Sequence, residues 1–296
     1  MGFGGESSGG DLDALDRLLA TAREVRVREM PGDAAILLVE RDPVALRALR
    51  DALRIADLPG CVCMCWGDVA LDFFDATAIF DATARPLTTV TLHHGSSVRW
   101  TGWAQDALLA DGVRALDWLA VRGVSTPLRE FRAAEQRQAE SDRTARLWVA
   151  AIPGPLAPYA NLFLDTSAVG GGLSGPQIAE VRALLLAAYP NPVDRILRLC
   201  AWNAAGTGAY SHYPAHERIP AQFLDLEHPA DFARAVEVSD APGTAGAVRY
   251  LLCWDTRKRL PGLLTALSPA ARRKILLHVR DADSRRWLQH RISRLR

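Results

Sequence analysis

Residues 61–74 read CVCMCWGDVALDFF, and how this stretch is read decides the sheet. Cys61, Cys63 and Cys65 alternate with Val62, Met64 and Trp66. An apolar residue at every second place has the period of a strand. Gly67-Asp68 separates it from a second alternating run, Val69 to Phe74, and such a spacer predicts a two-residue hairpin. The register then sets Trp66 opposite Val69, Met64 opposite Leu71 and Val62 opposite Phe73 on one apolar face, expected to be the core face. Cys65, Cys63 and Cys61 fall on the other face, opposite Ala70, Asp72 and Phe74.

Working outward, TTVTLHHG (88–95) splits in the same way. Thr88, Val90 and Leu92 join the core face, with Val98 and Trp100 beyond the HHGSS turn. Thr89, Thr91, His93 and Arg99 join Cys61, Cys63, Cys65 and Asp72. His94 is expected in the turn or toward the core. Upstream, Asp11 to Arg26 reads as a helix, Ala34 to Val39 as a buried strand, and Asp42-Pro43 as the start of a helix to about Ile55. Downstream, Trp103 to Arg122 reads as a helix stopped by Gly123. Pro127 to Val149 reads as a long charged helix, and 153–175, rich in Gly and Pro, as a linker. From Ser174 the chain reads as short helices. Ser174 and Gln177 form a capping box, and further starts lie at Asn191-Pro192, Pro229, near Thr244, at Ser268-Pro269 and at about Asp283.

The expected fold class is therefore α+β. Residues 1–10 are expected to be disordered and 11–124 to form a largely antiparallel sheet flanked by helices. Residues 125–175 are the connecting helix and linker, and 176–296 an all-α domain of short stacked helices.

The totals narrow the function classes. A hydrophobic share of 49% in 296 residues is globular composition. A net charge of +1 disfavours a strong nucleic-acid binder. Nine Lys or Arg against two Asp between Arg272 and Arg296 nevertheless make the C-terminal helices locally basic, the one place where nucleic acid or an acidic partner would fit. Five cysteines cannot all pair in one chain, and an i, i+2 pair on a strand is near the upper limit for a bridge. Reduced thiols suit a cytoplasmic protein. No apolar stretch approaches the ~18 residues of a membrane span.

Two stretches carry candidate chemistry. On the cysteine face, Cys63, His93, Asp72 and Arg99 are the residues a thiol-based catalytic site would use. The cysteines read first as small buried fillers and no cofactor is expected; were a metal bound, Cys63, Cys65 and His93 are the set that zinc would take, although C-x-C with one distant His is a weak signature. In GTGAYSHYPAHE (206–217), the candidates for binding a cofactor or ligand are His212, His216 and Glu217. His212 and His216 are split by Pro214 and do not form a helical metal pair. VGGGLSGP (169–176) lacks the order of a phosphate loop, and no nucleophile elbow or dinucleotide motif is present.

The leading expectation is thus a cytoplasmic binding or regulatory protein with a protein partner, of open oligomeric state. The alternative is a small-molecule or protein-modifying enzyme with its site between the cysteine face and the 206–217 loop. The second alternative is a metal-binding domain.

Overall fold

A computed structural model describes residues 12–31, 35–77, 85–208 and 213–295. The expected disorder of 1–10 lies outside them. The chain divides into two compact units, Met1–Gln138 and Ala139–Arg296.

The first unit holds seven strands: β1 (Glu24–Glu29), β2 (Ile36–Glu40), β3 (Ile55–Asp57), β4 (Val69–Phe74), β5 (Thr88–His93), β6 (Ser97–Trp100) and β7 (Ala107–Leu109). They form one antiparallel sheet in the order β2-β1-β4-β5-β6-β7-β3. Its helices are α1 (Asp13–Leu19), α2 (Pro43–Ala52) and α3 (Gly112–Val121). The α+β expectation holds, and so does the assignment of faces around β4 and β5. Val69, Leu71, Phe73, Val90, Leu92 and Val98 enter one core with Leu46, Leu49, Leu116 and Leu119. Each fully buried aliphatic or aromatic side chain contributes about 1.5–3 kcal/mol there.

The hairpin at Gly67-Asp68 is not formed, and residues 61–66 are not a strand. Both edges of β4 are already occupied, one by β5 and the other by β1. β1 was hidden inside the helix expected over 11–26. That helix stops at Leu19, and EVRVRE buries Val25 and Val27 against Phe73 and Leu71. With no free edge to pair with, 61–66 turns its supposed core side outward. Val62, Met64 and Trp66 are 51%, 97% and 72% exposed. The helix expected from Trp103 also begins later. Ala107 and Leu109 are buried and Leu108 exposed, a period-2 pattern that makes β7, and α3 starts only at Gly112.

The second unit is helical. α4 (Thr126–Ala150) has residues in both units. It is followed by a 3-10 turn at Gly154–Tyr159, α5 (Ala160–Val169), α6 (Gly175–Ala188), α7 (Pro192–Ala204), a 3-10 turn at Ala215–Arg218, α8 (Ile219–Leu224), α9 (Pro229–Val238) and α10 (Ala241–Leu252). A 3-10 turn at Asp255–Lys258, α11 (Leu260–Ala266), α12 (Pro269–His278) and α13 (Ala282–Ser293) complete it. Helical structure over 154–169 replaces most of the expected linker. The caps at Ser174, Asn191 and Ser268 are where the sequence puts them, whereas α10 is capped earlier than expected, by Asp240, and α13 by Asp281. Asn191 accepts from the Val193 N–H and Ser268 from Ala271, while Gln177 Oε1 takes the Ser174 N–H. α7 lies at the centre, burying Ile196, Leu199, Cys200 and Trp202 in a core shared with Trp148, Phe163, Phe232 and Tyr250.

No helix among the described residues is long and apolar enough to cross a membrane.

Candidate metal centre

Residues 61–68 are an irregular segment that lies against the polar end of β5. Gly67 has φ +92°, and a Cβ there would come within 2.3 Å of the Thr91 methyl, so only glycine fits. The Asp68 N–H donates to the Leu92 carbonyl at 2.7 Å, and the Asp68 carboxylate accepts from the Gly95 N–H at 3.2 Å. These contacts hold the segment beside the turn that joins β5 to β6. That turn, not Gly67-Asp68, is the tight hairpin. His94 and Gly95 occupy its centre at φ +52° and +63°, and the Ser96 N–H closes it on the His93 carbonyl at 3.1 Å. Positive φ at both centres favours Asn-Gly. A histidine there is held in a conformation that costs about 1–2 kcal/mol.

A second device fixes the other end. Arg99 donates to both carboxylate oxygens of Asp106, Nε at 2.8 Å and Nη2 at 3.0 Å. Asp106, buried, accepts the Cys63 N–H at 2.6 Å, and its own N–H donates to the Cys61 carbonyl at 3.0 Å. Arg99 Nη2 also donates to the Cys63 carbonyl. Burial pushes the Asp106 carboxyl up, but Arg99 and the Cys63 N–H outweigh it and hold it below its ordinary value.

Three side chains meet between these two anchors, and a fourth, His93, touches one of them. The Cys63 and Cys65 sulfurs lie 3.0 Å apart. Cys63 Sγ is 3.4 Å from His94 Nε2, and Cys65 Sγ is 3.0 Å from His93 Nδ1. Donor atoms of Cys63, Cys65 and His94 all lie within 4.8 Å of one another, so the cluster could hold a metal ion. His93 is fully buried, and its Nε2 has no hydrogen-bond partner among the described residues. Hydrogen bonds from the Cys65 thiol and N–H, then from His94, hold Cys63 below the ordinary thiol value. Burial first, then the Cys63 sulfur, push Cys65 up. Burial, reinforced by the Arg99 charge, pushes His93 down.

The structure brings together Cys63, Cys65 and His94, which the sequence reading left in the turn or toward the core; His93, expected in that set, touches Cys65 and lies outside the group. Arg99 reaches the cluster through the Cys63 carbonyl. Asp72 does not join it. Its carboxylate is taken by Arg28 on β1 and by the Thr89 hydroxyl at 2.7 Å. Asp106 was missed because a single acid ahead of an apolar triplet carries no pattern. Cys61 is exposed and outside the cluster, and Cys200 and Cys253 are buried in the helical unit. Burial pushes the Cys200 thiol up to about 12, which keeps it protonated and inert.

In the helical unit, Glu217 is buried and saturated. It accepts the N–H groups of Thr207 and Gly208 at 2.8 and 2.9 Å and pairs with the Arg249 guanidinium. A Cβ on Gly208 would collide with the Tyr213 carbonyl at 1.8 Å, so glycine here admits the chain's own backbone. His216 is buried against Trp148, with Nδ1 2.7 Å from the Ser167 hydroxyl. His212 lies outside the described residues. Several C-terminal basic groups are engaged as well. Lys274 donates to the Val236 and Ser239 carbonyls, Arg272 to Leu264 and Arg285 to Val279, and Arg286 pairs with Asp283.

No protein-family model, curated protein or solved structure matches the chain.

Proposed function

We propose that the N-terminal unit binds a zinc-class divalent ion through Cys63, Cys65 and His94, with His93 Nδ1 as the fourth ligand. The observation that carries the reading is the convergence of three soft donors, from segments about thirty residues apart in sequence, within 4.8 Å. Two thiolates and two imidazoles are a donor set that zinc takes tetrahedrally. Zn–S and Zn–N bonds of about 2.3 and 2.0–2.1 Å place two sulfurs roughly 3.8 Å apart and sulfur from nitrogen roughly 3.6 Å apart. The separations of 3.0, 3.4 and 3.0 Å are shorter than these by about 0.8, 0.2 and 0.6 Å, so the side chains would spread to take an ion.

Two features of the surroundings support the reading. The Arg99–Asp106 pair holds the Cys63 N–H and carbonyl, and groups bonded behind a metal's ligands orient them in this way. His94 occupies a backbone position that Asn fills more easily, and local strain of this kind concentrates at functional sites. A set closed by four protein ligands leaves no position for a substrate. That favours a structural or regulatory ion, and with it a binding or regulatory protein over an enzyme.

The test is a competitive zinc titration of the full chain against a chromophoric chelator, with C63S, C65S, H93Q and H94N compared. The expected result is one zinc per chain, with every variant weakened at least tenfold. H94N should keep its urea midpoint, because Asn suits φ +52°. Zinc uptake no better than that of a C63S/C65S double variant would overturn the proposal. Loss in all variants except H93Q would leave a three-ligand site with an open position, and would move the reading toward the enzyme alternative.

A further inference from the structure

We propose that Cys63 and Cys65 are also a redox pair, converted to an intramolecular disulfide by a two-electron oxidant of the hydroperoxide class. Ejection of the ion on oxidation rests on the metal reading above; the disulfide itself does not.

The inference stands on the shape of the segment. On an extended strand, residues i and i+2 are ~6.6 Å apart at Cα and their side chains run parallel, which is unfavourable for bridging. Residues 61–66 are not extended. The chain bends at Met64–Cys65, and the bend brings the two sulfurs to 3.0 Å. Closing that gap to a bond of about 2.05 Å needs a shift of about 1 Å. Cys63 is held at its backbone N–H and carbonyl by Asp106 and Arg99, so the movement falls to Cys65 and to the exposed Met64 and Trp66 around it. Both sulfurs belong to partly exposed residues, which a small oxidant reaches. Cys200 and Cys253 are buried.

The chemistry balances without any group from elsewhere in the chain. The Cys63 thiol attacks hydrogen peroxide, the O–O bond breaks, and Cys63 sulfenic acid and one water form. The Cys65 thiol then attacks the Cys63 sulfur. The S–S bond forms, the S–O bond breaks, and the hydroxide leaves with the Cys65 proton as a second water. Two thiols and one peroxide give one disulfide and two waters. Reduction needs an external dithiol, which takes the disulfide back by exchange. A sulfur in a disulfide is no longer a thiolate ligand, so the oxidised pair cannot hold the ion.

The experiment uses the full chain in a C61S background, because one tryptic peptide beginning at Ile55 carries Cys61, Cys63 and Cys65 together. Zinc-free and zinc-loaded protein are treated with one equivalent of hydrogen peroxide, alkylated under native conditions and mapped by mass spectrometry. The expected product is a peptide two hydrogens lighter, linked between Cys63 and Cys65, and restored by dithiothreitol. Cys200 and Cys253 should be alkylated only after denaturation. In a C65S variant the reaction should stop at Cys63 sulfenic acid, trapped by dimedone. Loaded protein should release its zinc in step with the disulfide. Thiols that stay free, or a Cys63 that runs on to sulfinic acid without linkage to Cys65, would overturn the proposal. A disulfide in protein that never binds zinc would sink the metal reading and leave this one standing. Bound zinc with no disulfide would do the reverse.

Discussion

His93 and His216 are a natural pair to compare. Each is buried, each has an Nε2 without a hydrogen-bond partner among the described residues, and burial lowers the pKa of both. What faces the other ring nitrogen differs. His216 Nδ1 meets the Ser167 hydroxyl, which also accepts the His216 N–H at 3.1 Å. The neighbouring Glu217 meets a full set of donors. In that corner the Arg249 guanidinium on α10 also donates to the Gly206 and Gly208 carbonyls. His93 Nδ1 meets a thiol, next to a second thiol and a second imidazole. Three metal-ligating side chains thus lie together, with His93 against one of them. The Glu217 cluster is joined by a carboxylate–guanidinium pair, whereas the cysteine cluster is joined by thiol and imidazole contacts of a kind that could hold a metal ion.

The largest effect that separates them should come from Glu217→Gln. It leaves the Arg249 guanidinium buried without its counter-charge, at a cost on the order of 3–5 kcal/mol. The urea midpoint of the helical unit should fall and zinc affinity should not. A neutral substitution would mean that the carboxylate–guanidinium pair does not join the Glu217 cluster. Next is zinc itself. At a free concentration a hundredfold above Kd it should stabilise the first unit by about 2.7 kcal/mol, seen as a shift in its unfolding midpoint. No shift in wild type, or an equal shift in C63S/C65S, would put the two clusters on the same footing.

Asp106→Ala should follow, with zinc affinity weakened about 10–100-fold, because the Cys61–Cys63 backbone loses its anchor. An unchanged affinity would show that the cysteines place themselves. The smallest effect is a pH dependence. With the folded pKa of His216 held below its unfolded value of about 6.5, the unfolded chain binds the proton more readily. Its contribution is therefore fully present above that value and lost as pH falls through it toward the folded pKa. His216→Phe should flatten the slope of stability in that window, read from urea midpoints. An unaltered slope would locate the titration elsewhere.

The same contrast explains what could be read from the sequence. TTVTLHHGSSVRW gave β5, β6 and their faces, because alternation is reliable where one side packs against a core. The helical caps were legible for a local reason, since Asn191, Ser268 and Gln177 act within three residues of themselves. CVCMCW misled because alternation is a property of the segment, whereas a strand also needs a free edge. β1 had taken that edge, and its two valines among charged residues gave too short a signal to show it. The cysteines and His93 were legible as residue types, but the hairpin face expected to join them does not form. His94 was not, because its place depends on a turn with positive φ, and Asp106 was not, because it acts on a backbone more than forty residues away in sequence.

The central claim, that Cys63, Cys65, His93 and His94 form one tetrahedral site, is met most directly by the optical spectrum of the cobalt(II)-loaded chain. One cobalt per chain, intense visible bands of a four-coordinate ion and a thiolate-to-cobalt charge-transfer band in the near ultraviolet are expected, all lost in the C63S/C65S variant. A weak six-coordinate spectrum without charge transfer, or one that the double variant leaves unchanged, would contradict it.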